Sequence, residues 1–281
     1  MLARAKINLY LHVVGRRADG YHLLDSLIVF AETGDKIAAA PAAELSLKID
    51  GPFAGKLVAD ADNLVLRAAR GLQELTGTKA GAAITLTKNL PVASGIGGGS
   101  ADAATTLQAL AALWKVIPDQ DALAKLALGL GADVPVCLAG RPSFIGGIGE
   151  EIMPVGKLPA AHLLLVNPGI ATPTPAVFKT RTGGFSPAAR WSEPPRDAAA
   201  LAHALGERRN DLTEAAIRVT PAIRDVLAAI AATRHVLLTR LSGSGATCFG
   251  LYATAEAAAV ARDAVRAAHH GWWAVAAPIA K

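Results

Sequence analysis

Eleven residues in the first half of the chain carry the clearest chemistry: Pro91, Val92, Ala93, Ser94, Gly95, Ile96, Gly97, Gly98, Gly99, Ser100 and Ala101. Four of the five positions from 95 to 99 are glycine, and an alanine-rich helical pattern follows at once. With no Cβ in the way, successive backbone N–H groups turn toward one point. A helix N-terminus adds its own unpaired N–H groups and a positive dipole end. Together these make a nest for a phosphate. Ser100 suits a helix cap, or a hydroxyl offered to phosphate or magnesium. The plainer alternative is a flexible strand-to-helix connection.

Two common phosphate loops are excluded. A Walker A loop needs Lys-Ser or Lys-Thr after the glycines, and neither is present. A Rossmann loop starting at Gly95 and Gly97 needs a third glycine where Ser100 stands. The strand before it also ends near Thr87, too early for the tight first turn of that fold.

Alternation predicts strands over 7–14, 21–30, 36–40 and 45–50, with Asp19-Gly20 as a turn. Asp62 and Asn63 suit the N-cap of a helix over 64–75, with Gly77 past its end. A strand over 83–87 precedes the glycine run, and a helix over 101–114 follows it. Pro118-Asp119 opens another helix ending near Leu130. Residues 131–135 read as a loop, with strands on each side of Gly140-Arg-Pro142. Further on, strands fit 163–166, 236–240, 247–252 and 272–277. Pro175 suits the first position of a short helix, and helices fit 197–206, 211–219, 221–233 and 254–269. Residues 183–196 read as an exposed loop. Helices and strands mix without regular βαβ alternation. The expected class is therefore α+β in two lobes, 1–153 and 154–281, with the boundary near Met153.

The 281 residues are 52% hydrophobic, so burial is not limiting. The net charge of +5 suits anionic ligands such as nucleotides. Basic residues occur as pairs such as Arg16-Arg17 and Arg208-Arg209, without a longer run, so a nucleic-acid partner is not expected. Cys137 and Cys248 sit among apolar residues and read as buried thiols of a reducing compartment. No Cys/His spacing supports a structural zinc. Arg4 and Lys6 before an apolar stretch mimic a short signal peptide. Asn8 and His12 interrupt it, however, and Arg16-Arg17 follow where a cleavage site would stand. No stretch reaches the length of a membrane span. The expectation is a cytoplasmic protein with a small-molecule substrate and no membrane partner.

The run from Pro91 to Ala101 resembles the phosphate loop of the GHMP kinases. So do other segments in order: Ala5-Lys-Ile-Asn-Leu9, Arg17-Ala-Asp-Gly-Tyr-His22, Leu130-Gly-Ala-Asp-Val-Pro135, Pro173-Thr-Pro175 with Phe178-Lys179, Asn210-Asp-Leu212, and Ser242-Gly-Ser-Gly-Ala-Thr247. The N-terminal pair with Gly-Ala-Asp-Val-Pro resembles the branch that phosphorylates 4-diphosphocytidyl-2-C-methyl-D-erythritol. The resemblance implies the two-domain GHMP kinase fold with its active site in the cleft between lobes. It also implies ATP and Mg2+ as cofactors and a cytidine-diphosphate-linked methylerythritol as substrate.

On that resemblance Asp133 is the base that orients the hydroxyl and accepts its proton. Lys6 is its partner, holding Asp133 ionised and neutralising charge on the phosphoryl oxygens. Without the resemblance, Asp133 reads as a solvated loop acid and Lys6 as a strand-edge lysine reaching solvent. The resemblance assigns Tyr21, His22 and Phe178 to the cytosine ring, and Asn8 and Thr174 to polar parts of the substrate. Their ordinary reading is half-buried structural residues. Asn63 reads as a helix cap and Lys88 as an exposed strand end, while the resemblance puts both near the adenine or ribose of ATP. Asp102 reads as a first-turn acid favouring the helix dipole. The second glycine turn, Gly243-Ser-Gly245, would help shape the site. Ser94 and the pair Ser100-Ala101 depart from the family pattern, and the metal ligands stay open. Competing readings are another GHMP kinase acting on homoserine or a mevalonate derivative, and a non-catalytic nucleotide- or RNA-binding protein. Phe178 and the Asp-Gly-Tyr-His segment suit a nucleobase and argue against the first. The second leaves Lys6 and Asp133 without a task.

Overall fold

The computed structural model describes residues 1–280, without the side chain of Lys56. In chain order the elements are β1 (Leu2–Arg16), β2 (His22–Ala42), β3 (Leu45–Asp50), α1 (Leu64–Thr76), β4 (Gly81–Thr87), α2 (Gly98–Trp114), α3 (Gln120–Leu130) and α4 (Val134–Ala139). There follow β5 (Ser143–Gly146), β6 (Glu151–Pro154), β7 (His162–Asn167), α5 (Thr174–Thr180), α6 (Ala198–Gly206), α7 (Thr213–Val219), α8 (Ala222–Ala231), β8 (Leu238–Leu241), β9 (Cys248–Tyr252), α9 (Ala255–Ala268) and β10 (Trp273–Pro278).

The chain forms two compact units. The first is Met1–Ala5, Thr33–Val92 and Gly97–Gly140; the second is Lys6–Glu32, Ala93–Ile96 and the chain from Arg141 onward. A single cut near Met153 does not separate these interleaved segments. The cause is the length of β1 and β2, each of which contributes to both units. The expected break after Phe30 is absent, and β2 runs straight through Gly34. A Cβ there would lie 2.0 Å from the carbonyl oxygen of Ala3, so this glycine permits close backbone approach within a strand instead of ending one.

In the first unit β4 pairs parallel with β3 and antiparallel with the end of β2, in register Lys36↔Thr87. The Asn63 side chain accepts from Val65 N at 3.0 Å and caps α1, while Gly77 ends it at φ +68°. The opening turns of α2 bury Ala101, Ala103, Ala104 and Leu107, where small side chains let neighbouring helices approach. Two expectations fail here. The 131–135 segment runs into helix α4, and no strand precedes Gly140. Pro135 in the first turn presets helical φ, and Gly140 at φ +62° closes the helix.

In the second unit β1 pairs with β2, and β2, β5 and β6 continue antiparallel. A second sheet runs β10-β7-β9-β8, antiparallel throughout. Its core gathers Leu164, Val166, Ile223, Val226, Ile230 and Tyr252. The 183–196 segment is irregular as expected, but it is not a free loop. Ser186 is buried, and Ser186 N donates to Val13 O at 2.9 Å. Asp25, buried on β2, accepts from Tyr10 Oη at 2.9 Å, Ala189 N at 2.7 Å and Arg190 Nε at 2.7 Å. Arg208 lies over the rings of Tyr10 and Trp191, at 5.9 and 5.1 Å. Cys137 and Cys248 are both buried, as expected.

Candidate active site

The glycine run divides between the units, and each part is held by its own neighbours. In the first unit α2 starts at Gly98, three residues before the expected Ala101. Gly97 is its N-cap at φ +64°, and no side chain caps the first turn. Ser100 thus lies inside the helix and is not its cap. An N-terminus with no side-chain acceptor is suited to an anion.

Behind that turn sits a buried ion cluster. Lys88 Nζ donates to Asp35 Oδ2 at 2.5 Å and to Asp102 Oδ2 at 2.7 Å. All three side chains are buried. Lys88 is therefore not an exposed strand end, and Asp102 lies beyond the first turn of α2, paired with Lys88. Burial opposes charge on Lys88, but Asp102 and Asp35 outweigh it and its pKa is raised. Burial pushes Asp102 up to about 7, against the pull of Lys88.

In the second unit Ala93–Ile96 lies against the second glycine turn. Ala93 has φ +50° and Gly95 φ +76°. Thr247 N donates to Ser94 O at 3.0 Å, and Thr172 N to Ala93 O at 3.2 Å. Ser242 Oγ donates to Gly95 O at 3.1 Å and accepts from Asn8 N at 3.2 Å. Asn210 Nδ2 donates to Leu241 O at 2.9 Å and Gly243 O at 2.8 Å, which holds this turn from the other side. The expected structural part for Gly243-Ser-Gly245 thus has a concrete form within this unit.

Lys6 on β1 is 4% exposed, which removes the solvent-reaching edge reading. Its backbone N donates to Ile96 O at 3.0 Å, and Nζ donates to Asn8 Oδ1 at 3.2 Å. Asn8 is buried and donates from Nδ2 to Ser26 Oγ at 2.8 Å. Lys6 and Asn8, two positions apart on a strand, face the same way.

His22 and Phe178 come together from β2 and α5 as a stack, with centroids 5.0 Å apart and planes 25° apart. Burial, then Arg16 and Arg181, lower the His22 pKa, so its neutral form is favoured. Thr174 Oγ1 shares a hydrogen bond with Ser244 Oγ at 2.7 Å. Tyr21 is 61% exposed and stands just before β2, not within a strand. In the first unit Asp133 is the N-cap residue of α4, but its side chain does not cap the helix. Asn63 is engaged locally: besides capping α1, its Nδ2 donates to Val58 O at 2.9 Å.

Sequence reasoning missed Asp35 and Ser26 as parts of this framework, and reached Ser242 only within a family motif. Asp35 stands in the polar run Glu32-Thr-Gly-Asp-Lys36, which gives no local sign of its burial. Among the described residues no group of three or more His, Cys, Asp or Glu side chains could hold a metal ion. Among the described residues no helix is long and apolar enough to cross a membrane.

The class of protein follows from family models that match both regions. GHMP kinases N terminal domain matches residues 63–141, and GHMP kinases C terminal matches residues 191–271. The 4-diphosphocytidyl-2-C-methyl-D-erythritol kinase of Paramagnetospirillum magneticum is 58% identical over 96% of this chain and 95% of its own length. That of Rhodospirillum rubrum is 54% identical over 98% and 90%. A crystal structure of 4-(cytidine 5'-diphospho)-2C-methyl-D-erythritol kinase superposes with TM-score 0.82 at 35% identity, covering 100% of this chain and 99% of that one. The chain belongs to the 4-diphosphocytidyl-2-C-methyl-D-erythritol kinase family of the GHMP kinases. It has the two-domain GHMP kinase fold, with mixed α and β content, and is a kinase for which the family implies ATP as substrate.

Proposed function

We propose that this chain transfers the γ-phosphoryl group of ATP to the 2-hydroxyl of 4-diphosphocytidyl-2-C-methyl-D-erythritol. The products are the 2-phosphate and ADP, in the non-mevalonate route to isoprenoid precursors. The observation that carries the phosphate chemistry is the start of α2, where Gly97 precedes a first turn with no side-chain cap. The acceptor is supported by the names of full-length relatives at 58% and 54% identity.

In this reading the residues from Pro91 to Ala101 hold the ATP phosphates, with Asn63 near the adenine or ribose. Lys88 serves the same site from beneath the loop. Magnesium enters with ATP, and the Ser100 hydroxyl is the candidate protein ligand for phosphate or metal. Asn8, Tyr21, His22, Thr174 and Phe178 hold the substrate. The 2-hydroxyl oxygen attacks the γ-phosphorus, the bond to the β,γ-bridging oxygen breaks, and Asp133 takes the hydroxyl proton. Lys6 offsets negative charge on the phosphoryl oxygens. The reading keeps an N-terminal nucleotide-binding domain over 1–153 and a C-terminal domain over 154–281, with the matches at 63–141 and 191–271 falling one within each. It also keeps a cytoplasmic location.

The test is incubation with ATP, magnesium and the cytidyl substrate, with homoserine and mevalonate in parallel. ADP and a phosphorylated cytidyl product are expected from the first mixture alone. Turnover of homoserine or mevalonate, with none of the cytidyl compound, would sink the reading.

A further inference from the structure

Three buried charges grip the chain on both sides of the glycine loop, entirely within the first unit. Lys88, Asp35 and Asp102 are 2%, 0% and 2% exposed. One ammonium stands between two carboxylates, at 2.5 and 2.7 Å. The second oxygen of Asp35 accepts from Asn89 N at 2.6 Å and Leu90 N at 2.8 Å. Those are the two residues immediately before Pro91. Asp102 lies in α2 immediately after Ala101. The first residue of α2 rests on the same cluster, because a Cβ on Gly98 would lie 3.1 Å from Lys88 Nζ and 3.5 Å from Asp35 Oδ2.

Lys88 itself is tied down at the backbone. Its N donates to Asp50 O at 2.7 Å, and its carbonyl accepts from Phe53 N at 3.1 Å. An ammonium committed to two buried carboxylates is poorly placed to reach a ligand. Burying such a cluster is costly, and its best-attested benefit is fixing one arrangement of the chain. Here it fixes the segments where the loop enters and leaves. We propose that Lys88, Asp35 and Asp102 form a clamp across the base of the phosphate loop. Lys88 is then a positioning residue for the ATP phosphates and does not touch the base or ribose. The clamp rests on the nucleotide reading above and sharpens it.

Direct binding of ATP, ADP and adenosine tests the clamp without needing the acceptor substrate. Lys88→Met removes the bridge. Asp35→Asn keeps the shape, but one amide cannot accept from both Lys88 and the two backbone N–H groups. In each variant ATP and ADP affinity should fall about tenfold or more, while adenosine affinity holds within about twofold. Parallel loss of adenosine affinity would make Lys88 a direct ligand and overturn the clamp. So would unchanged ATP affinity in a variant whose thermal melt stays cooperative. If neither variant folds, hydrogen exchange on the native chain decides. Slow exchange at Asn89 and Leu90, matching the core of α2, supports the clamp, and fast exchange there overturns it. If the native chain binds ATP no better than adenosine, the nucleotide reading fails instead.

Discussion

Gly95 and Gly243 close on one another with no room for a side chain on either. A Cβ on Gly95 would lie 2.5 Å from Ser242 O, and one on Gly243 would lie 2.8 Å from Gly95 O. Both have positive φ, +76° and +54°. The obstacles are backbone atoms, which cannot swing aside. Gly95→Ala and Gly243→Ala should each cost about 2–4 kcal/mol from overpacking and backbone strain together. The double variant should cost less than the sum, because both disrupt one contact. Urea unfolding of the three proteins measures this, and strict additivity would show that the contact is not shared.

Lys6 lies on β1, and Asp133 is the N-cap residue of α4. Lys6→Ala and Asp133→Ala should each lower kcat by about a thousandfold or more. Their circular dichroism and cooperative melting should be retained. Near-native turnover in either variant removes that residue from the mechanism.

The His22–Phe178 stack gives a substrate-side prediction. Phe178→Ala should raise the KM for the cytidyl substrate about tenfold and leave that for ATP much less affected. An equal rise for both would show that Phe178 serves the fold and not the base. His22 adds a pH dependence. Its folded pKa is below the ordinary 6.5, so the unfolded chain binds a proton more readily. Its contribution to stability is complete above that value and is lost as pH falls below it. The substrate KM should rise in the same acidic window, and His22→Gln should flatten that rise.

Asp25 is 1% exposed and serves three donors at once, from Tyr10, Ala189 and Arg190. Burial and the neighbouring carboxylate both raise the Tyr10 pKa, so the phenol stays protonated and donates. Asp25→Ala strands all three donors and should cost about 3 kcal/mol. Arg190→Ala should cost less, since that side chain is 29% exposed and water replaces part of the pair. Equal losses on urea denaturation would contradict this order.

Features built from near neighbours were legible in the sequence. Asn63 and Gly77 bound α1 because capping acts over two or three residues. The same holds for Asp119 at α3, whose side chain accepts from Ala122 N at 2.9 Å. The start of α2 was misplaced because glycine is a poor helix former, costing about 1 kcal/mol against alanine. The seat beneath Gly98 is tight for any side chain, and only the folded chain shows the seat. The interleaving of the two units was hidden likewise, because separate strands over 21–30 and 36–40 were expected where β2 is continuous.

The sequence by itself determined the glycine-rich pattern of the Pro91–Ala101 loop, most of the main helices and strands, and the family motifs. Each of these is written in residue types a few positions apart. The tertiary structure alone decided that Lys88 and Asp102 are buried, since their partner Asp35 lies 53 positions before Lys88. It also decided that two glycine turns, Gly95 and Gly243, must fit together. A charge's burial and a glycine's necessity depend on what the fold brings against them, and spacing along the chain carries no record of that.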